Sequence, residues 1–203
     1  MRALLCIPLV LVLIILINSR NSPYISRCAL KPEFCERLIK TAENMTYDQS
    51  GEPIDGEPVY QINILNHDKI ENETLWNICK GVYHKYKKRS NSGDSMFLKR
   101  YLPDERRRIP LHHDNCNYTV SFLLSDTKDF EGCEYYMFDK KTSRKLKYLE
   151  SKPASERDAF IETYKNLPIW KYEQGDAIRF KNNLHGTLPL KSGKRYVLTI
   201  FYA

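Results

Sequence analysis

In the stretches 34–42 and 75–86 the apolar residues of this chain recur three and four apart, and from Met96 onward they fall in short runs of another period. That change of period limits the fold more than any other feature. The stretches 97–101, 118–124, 135–138, 177–180 and 195–202 are β-branched and aromatic, bounded by Pro, Gly, Asn or Asp, which predicts strands. Ahead of them, Pro32 and Glu33 open a helix with Phe34, Leu38, Ile39 and Ala42 on one face. Leu75, Cys79, Val82, Tyr83 and Tyr86 predict a second helix over 72–87, with a loop from Ser90 to Ser95. Helices first and strands after are the order of an α+β domain or of a mainly β domain with flanking helices, against βαβ alternation. One interruption is predicted late in the chain: Ser155 and Asp158 resemble a capping box, and Phe160, Ile161 and Tyr164 follow at helical spacing before Pro168. A helical insert over 155–166 is the expectation.

The length of 203 residues allows one ordinary domain and excludes two separate cores. Lys+Arg 32 against Asp+Glu 25 leaves +7, spread over runs such as Lys87-Lys88-Arg89, Arg106-Arg107-Arg108 and Lys140-Lys141. No aromatic residues are interleaved with them as a stacking surface needs, so solvated faces are expected and no nucleic-acid partner. Residues 3–17 carry no charge and follow Arg2: a targeting segment, longer than most signal-peptide cores and shorter than the roughly 20 residues of a comfortable span. Asn18-Ser19-Arg20-Asn21 offers no small-x-small cleavage site, which tilts the reading to an uncleaved anchor. The expected organisation is a signal peptide or signal anchor over 1–19, a linker over 20–30 and one domain over 31–203. Sequons at Asn44, Asn72 and Asn117 agree with a secretory route, giving an anchored protein of the endoplasmic reticulum lumen, or a secreted one if the segment is cleaved. Cys6 lies in the apolar segment, and Cys28, Cys35, Cys79, Cys116 and Cys133 remain for the domain, an odd number with no zinc-pair spacing. Oligomeric state is left open.

His112-His113-Asp114 lies just before a strand. In extended backbone residues i and i+2 share a face, so His112 and Asp114 can reach one metal ion while His113 points away. Much later stands His185, in Asn183-Leu184-His185-Gly186-Thr187-Leu188-Pro189, followed by Gly193 and Arg195. Two imidazoles and a carboxylate suit non-haem Fe(II), leaving positions open for a chelating cosubstrate and dioxygen; zinc on the same ligands is the alternative. Arg195 weighs against zinc, because a planar charged fork is the residue type that holds a dicarboxylate end-on.

From about Leu30 to Ala203 the chain resembles the prolyl and lysyl hydroxylase branch of the 2-oxoglutarate and Fe(II)-dependent dioxygenases. Residues 30–39 look like that family's opening helix. Arg100-Tyr101-Leu102-Pro103-Asp104-Glu105 with Pro110-Leu111-His112-His113-Asp114 is most similar to the catalytic domain of procollagen lysyl hydroxylases. Asp129-Phe130-Glu131-Gly132-Cys133-Glu134 resembles a Phe-x-Gly-Gly-Glu segment, Gly175-Asp176-Ala177-Ile178-Arg179-Phe180 a Gly-Asp strand, and His185-x3-Pro189-x3-Gly193-x-Arg195 the distal histidine with its cosubstrate arginine. The resemblance implies a double-stranded β-helix, a cupin-like jelly-roll. It implies His112, Asp114 and His185 on Fe(II), Arg195 on the distal carboxylate of 2-oxoglutarate and Tyr101 also at the cosubstrate. It further implies O2 as cosubstrate, ascorbate to keep iron ferrous, and hydroxylation of a lysyl or prolyl side chain in a protein or peptide.

Two departures from the family pattern matter. Cys133 stands where a second Gly is usual, and the long gap from His112 to His185 is filled by the insert, which could cap the substrate groove. Nucleic-acid demethylation lacks its second arginine after Arg195, and the length rules out a fused glycosyltransferase. The remaining alternative is a catalytically inactive jelly-roll that binds a ligand or partner in the secretory pathway.

Overall fold

The computed structural model describes residues 23–87 and 92–203. The 3–17 segment, Cys6, residues 20–22 of the expected linker and residues 88–91 lie outside the described residues. Among the described residues no helix is long and apolar enough to cross a membrane.

Four of the expected strands join three that the sequence reading did not propose, over 24–26, 61–66 and 69–70, in a seven-stranded antiparallel sheet. Its order is β1 (Tyr24–Ser26), β8 (Ala177–Phe180), β5 (Tyr118–Leu123), β11 (Arg195–Tyr202), β4 (Ser95–Tyr101), β2 (Gln61–Asn66) and β3 (Lys69–Ile70). Side chains alternate across each strand, so Tyr196, Leu198, Ile200 and Tyr202 of β11 face one way and Arg195, Val197, Thr199 and Phe201 the other. The first set joins Val120, Phe122, Met96 and Leu98 beneath α1 (Pro32–Glu43) and α2 (Glu73–Tyr86). Both helices match the expectation within a residue or two. Helix α1 has Pro32 in its first turn, and Asn72 caps α2 by accepting from the Leu75 N–H at 2.9 Å.

The second layer is shorter. It pairs β6 (Phe130–Gly132) with β10 (Leu190–Gly193) and β7 (Tyr135–Met137) with β9 (His185–Thr187). Thr187 N–H donates to the Ile109 carbonyl at 3.0 Å and Leu190 N–H to that of Arg107 at 2.8 Å, so the 107–112 segment runs along its edge. The two layers close on Tyr101, Leu123, Tyr135, Ile178, Phe180 and Val197. This is the expected jelly-roll. The chain crosses from the short layer to the long sheet at Gly193, where φ is +79° and any Cβ would lie 2.0 Å from the Asp129 carbonyl oxygen; a side chain has no room there.

The insert is larger than the sequence reading proposed, and its start is built differently. Helix α3 (Lys140–Leu146), a 3-10 turn (Lys147–Ser151) and α4 (Ala154–Thr163) follow one another. The capping box over Ser155 and Asp158 does not form: Pro153 precedes α4 with no side-chain cap, and the Asp158 carboxylate turns to the Arg108 guanidinium instead. A cluster of Leu111, Tyr136, Phe138, Leu149, Ile161 and Leu184 fixes the insert against the short layer. At the other end, Tyr24–Ser26, within the segment read as linker, adds an edge strand, and Arg27 reaches Asp176 at 2.6 Å.

Candidate active site

His112 N–H donates to the His185 carbonyl at 2.9 Å, and His185 N–H to the His112 carbonyl at 3.0 Å. Residues that exchange both bonds project side chains to the same face, and the two rings lie with centroids 4.2 Å apart. Asp114, two residues on, shares that face. Its Oδ1 is 3.3 Å from His112 Nε2 and 3.6 Å from His185 Nε2, and one donor atom from each of the three residues lies within 4.8 Å of the others. Each Nδ1 meets a backbone carbonyl at 2.8 Å, Pro110 for His112 and Asn183 for His185. A carbonyl accepts only from a protonated nitrogen, so both Nε2 lone pairs are left for a metal. Thr119 donates its hydroxyl to the second Asp114 oxygen.

Burial works to raise the Asp114 carboxyl, but His185, His112 and the Thr119 hydroxyl outweigh it and hold it well below the usual carboxylate range. Burial pushes the His185 imidazole down to about 4 against the pull of Asp114. An ionised carboxylate and a neutral imidazole are the states a divalent metal takes. Three donors on one side fit non-haem Fe(II). His113 is turned away, as its strand position predicts: Glu150 Oε1 accepts its N–H at 2.8 Å, and Oε2 lies 2.9 Å from its Nδ1.

A cavity of about 450 Å3 runs from the triad to Arg195 on one side and to β2 on the other. Arg195 is 2% exposed, opposite Tyr101 in the β11–β4 register, with its guanidinium carbon 5.2 Å from the Tyr101 ring centre. Its Nη2 donates to the Tyr172 hydroxyl at 2.6 Å, and no described carboxylate pairs with it. Tyr135, stacked beside His185 at 5.5 Å, has a buried hydroxyl with no hydrogen-bond partner among the described residues. The structure therefore brings together all five residues that the sequence reading assigned, His112, Asp114, His185, Arg195 and Tyr101, around one cavity.

Cys133 keeps a glycine-type backbone, with φ +56°, and its N–H donates to the Pro189 carbonyl at 3.1 Å. Burial pushes its thiol up while Arg195 works against this, so the replaced glycine position lies beside Arg195. The sequence reading missed Tyr172, Tyr135, Lys99 and Glu52. Lys99 was legible, two residues before Tyr101 on a predicted strand; Tyr172 sits in irregular backbone, where no periodicity points it inward.

The chain matches no protein-family model and no curated protein. Among solved structures it is similar to a 2OG-Fe(II) oxygenase family oxidoreductase from Burkholderia pseudomallei: 14% identity, TM-score 0.58, over 89% of this chain and 84% of that one. It shares that architecture. HygX from Streptomyces hygroscopicus, solved with nickel and 2-oxoglutarate bound, aligns with TM-score 0.58 at 12% identity, over 93% of this chain and 86% of that one. A prolyl hydroxylase from Trichoplax adhaerens, in complex with a hypoxia inducible factor oxygen degradation domain peptide fragment, aligns with TM-score 0.57 at 13% identity, covering 91% and 84%.

Proposed function

We propose that this chain is an Fe(II)- and 2-oxoglutarate-dependent dioxygenase that hydroxylates a lysyl or prolyl side chain of a protein. The observation that carries the reading is Arg195, a buried guanidinium without a carboxylate, in the same cavity as the His112, Asp114 and His185 triad. A buried cation is costly unless an anion completes it, and a dicarboxylate cosubstrate supplies one. When bound, iron with 2-oxoglutarate and O2 supplies oxidative decarboxylation to succinate and delivery of one oxygen atom to the substrate. The chain's own residues hold and orient. His112, Asp114 and His185 would hold the metal, Arg195 would fix the distal carboxylate of the cosubstrate, and Tyr101, Tyr135 and Tyr172 would exclude water around it.

The peptide bound to the Trichoplax relative supports a peptide substrate here. Ascorbate, in this reading, keeps the iron ferrous. The 3–17 run and the sequons support a place in the secretory lumen, membrane-anchored or secreted after cleavage, which glycosidase-sensitive mobility of the expressed protein tests. Succinate release from 2-oxoglutarate, dependent on Fe(II), tests the chemistry. Cosubstrate binding without any succinate would instead favour the inactive binding module.

A further inference from the structure

On the side of the triad away from Arg195, the cavity wall is the inner face of β11, β4 and β2, with Phe97 and Lys99 flanked by Phe201 and Gln61. Lys99 is 4% exposed, and its Nζ lies 2.6 Å from Oε2 of Glu52, which the loop before β2 carries over the opening. That loop is firmly held. Arg106, whose side chain is fully buried, grips Asp55 through bonds of 3.0 and 2.9 Å, and Arg157 donates to the Ile54 carbonyl at 2.7 Å.

Two carboxylates line the cavity among the described residues, Glu52 and Asp114. Asp114 belongs to the metal triad and Glu52 to Lys99. We infer that the side chain modified here is uncharged, and that the Lys99–Glu52 pair is the device that refuses a lysyl ammonium; this rests on the oxygenase reading above. An ammonium entering the cavity loses its hydration, finds no uncommitted anion and meets the like charge of Lys99. A neutral side chain carries no such penalty. Phe97 and Phe201, edge to face with centroids 5.1 Å apart, give it an apolar wall. Gln61 gives one N–H to Asn63 at 2.8 Å, and the rest of this amide pair is available to a peptide main chain.

Three peptide pools with randomised flanks and a fixed central proline, norleucine or lysine test the inference, since norleucine is a lysine side chain without its ammonium. Retention on the immobilised protein is measured anaerobically with Fe(II) and 2-oxoglutarate, and again without either; oxygen gain is then read by mass spectrometry in air. Wild type should retain the proline and norleucine pools at least tenfold over lysine and oxidise only those. Lys99→Met, which frees the Glu52 carboxylate, should raise lysine-pool retention at least tenfold. Lys99→Met combined with Glu52→Gln should abolish that gain, and thermal melts of both variants confirm folding. Equal retention of the lysine and norleucine pools by wild type, absence of retention included, overturns the inference, as does oxygen gain on the lysine pool with wild type or a Lys99→Met protein whose lysine-pool retention does not rise. Failure of wild type to bind 2-oxoglutarate refutes the oxygenase reading instead, and the retention ratio without metal and cosubstrate decides the pair separately.

Discussion

Arg195 sits among Tyr101, Tyr135 and Tyr172 with a permanent charge and a single strong donor contact to a phenol. Arg195→Ala should leave metal affinity unchanged and weaken 2-oxoglutarate about 100-fold, roughly 3 kcal/mol, because a charge-assisted fork is lost and the dianion left unpaired. Calorimetry with the metal-loaded protein measures both quantities. Strand period separates the three histidines as sharply. His112→Ala and His185→Ala should each abolish turnover and metal loading, whereas His113→Ala, which loses the Nδ1 contact to Glu150 and keeps the backbone one, should keep its metal; the reverse result would place the register one residue off. His185 also sets a pH dependence. Its folded pKa of about 4 lies below the unfolded value of 6.5, so between these pH values the unfolded state binds more protons and stability rises with pH. The metal-free protein should therefore lose on the order of 3 kcal/mol as pH falls from 6.5 to 4, and His185→Gln should flatten that slope in urea titrations at fixed pH.

At the scale of elements, the 140–163 insert is tied to both sides of the first metal histidine. Arg157 of α4 donates to the carbonyl of Leu111 at 2.7 Å, and Glu150 of the 3-10 turn holds the N–H of His113. The same Arg157 reaches Ile54 in the loop that lines the cavity, so one buried guanidinium ties the 107–114 segment to that loop. Arg157→Met should lower metal affinity about tenfold, the low end of what outer-shell changes cost. Competition with a metal-binding dye checks it, and a melting temperature that fell without any change in metal affinity would assign Arg157 a purely structural role. The strands over 97–101, 118–124, 135–138, 177–180 and 195–202 were legible as β-branched and aromatic runs, whereas β1, β2, β3, β6, β9 and β10 were not, all but β2 being only two to four residues long. Helix α3 was not: Lys140, Lys141, Arg144 and Lys145 conceal it, and its stability comes from the Asp139 cap and from packing beside Leu149 and Leu184.

For the whole molecule, the proposed metal and 2-oxoglutarate would together join residues from β4, the 107–114 segment, β9 and β11, so their binding would cross-link the two layers. Cosubstrate at about 100 times its Kd should add roughly 2.7 kcal/mol, raising Tm by about 5–10 °C for a chain of this size. Differential scanning fluorimetry with and without 2-oxoglutarate, in the presence of Mn(II), measures it, and the increment should be lost in Arg195→Ala. The sequence by itself determined the strand periodicity, the two supporting helices and the triad with its arginine. Strands and helices are local patterns, i and i+2 on one face and i and i+4 on one stripe, and so is the His112–Asp114 spacing; His185 and Arg195, 73 and 83 positions beyond His112, were joined to it by the family resemblance. Only the tertiary structure decided that Lys99 meets Glu52, that Tyr172 caps Arg195 and that α4 braces the 107–114 segment at Leu111. Those pairs are separated by 47, 23 and 46 positions along the chain, and no periodicity links residues whose proximity exists only once two layers have closed on each other.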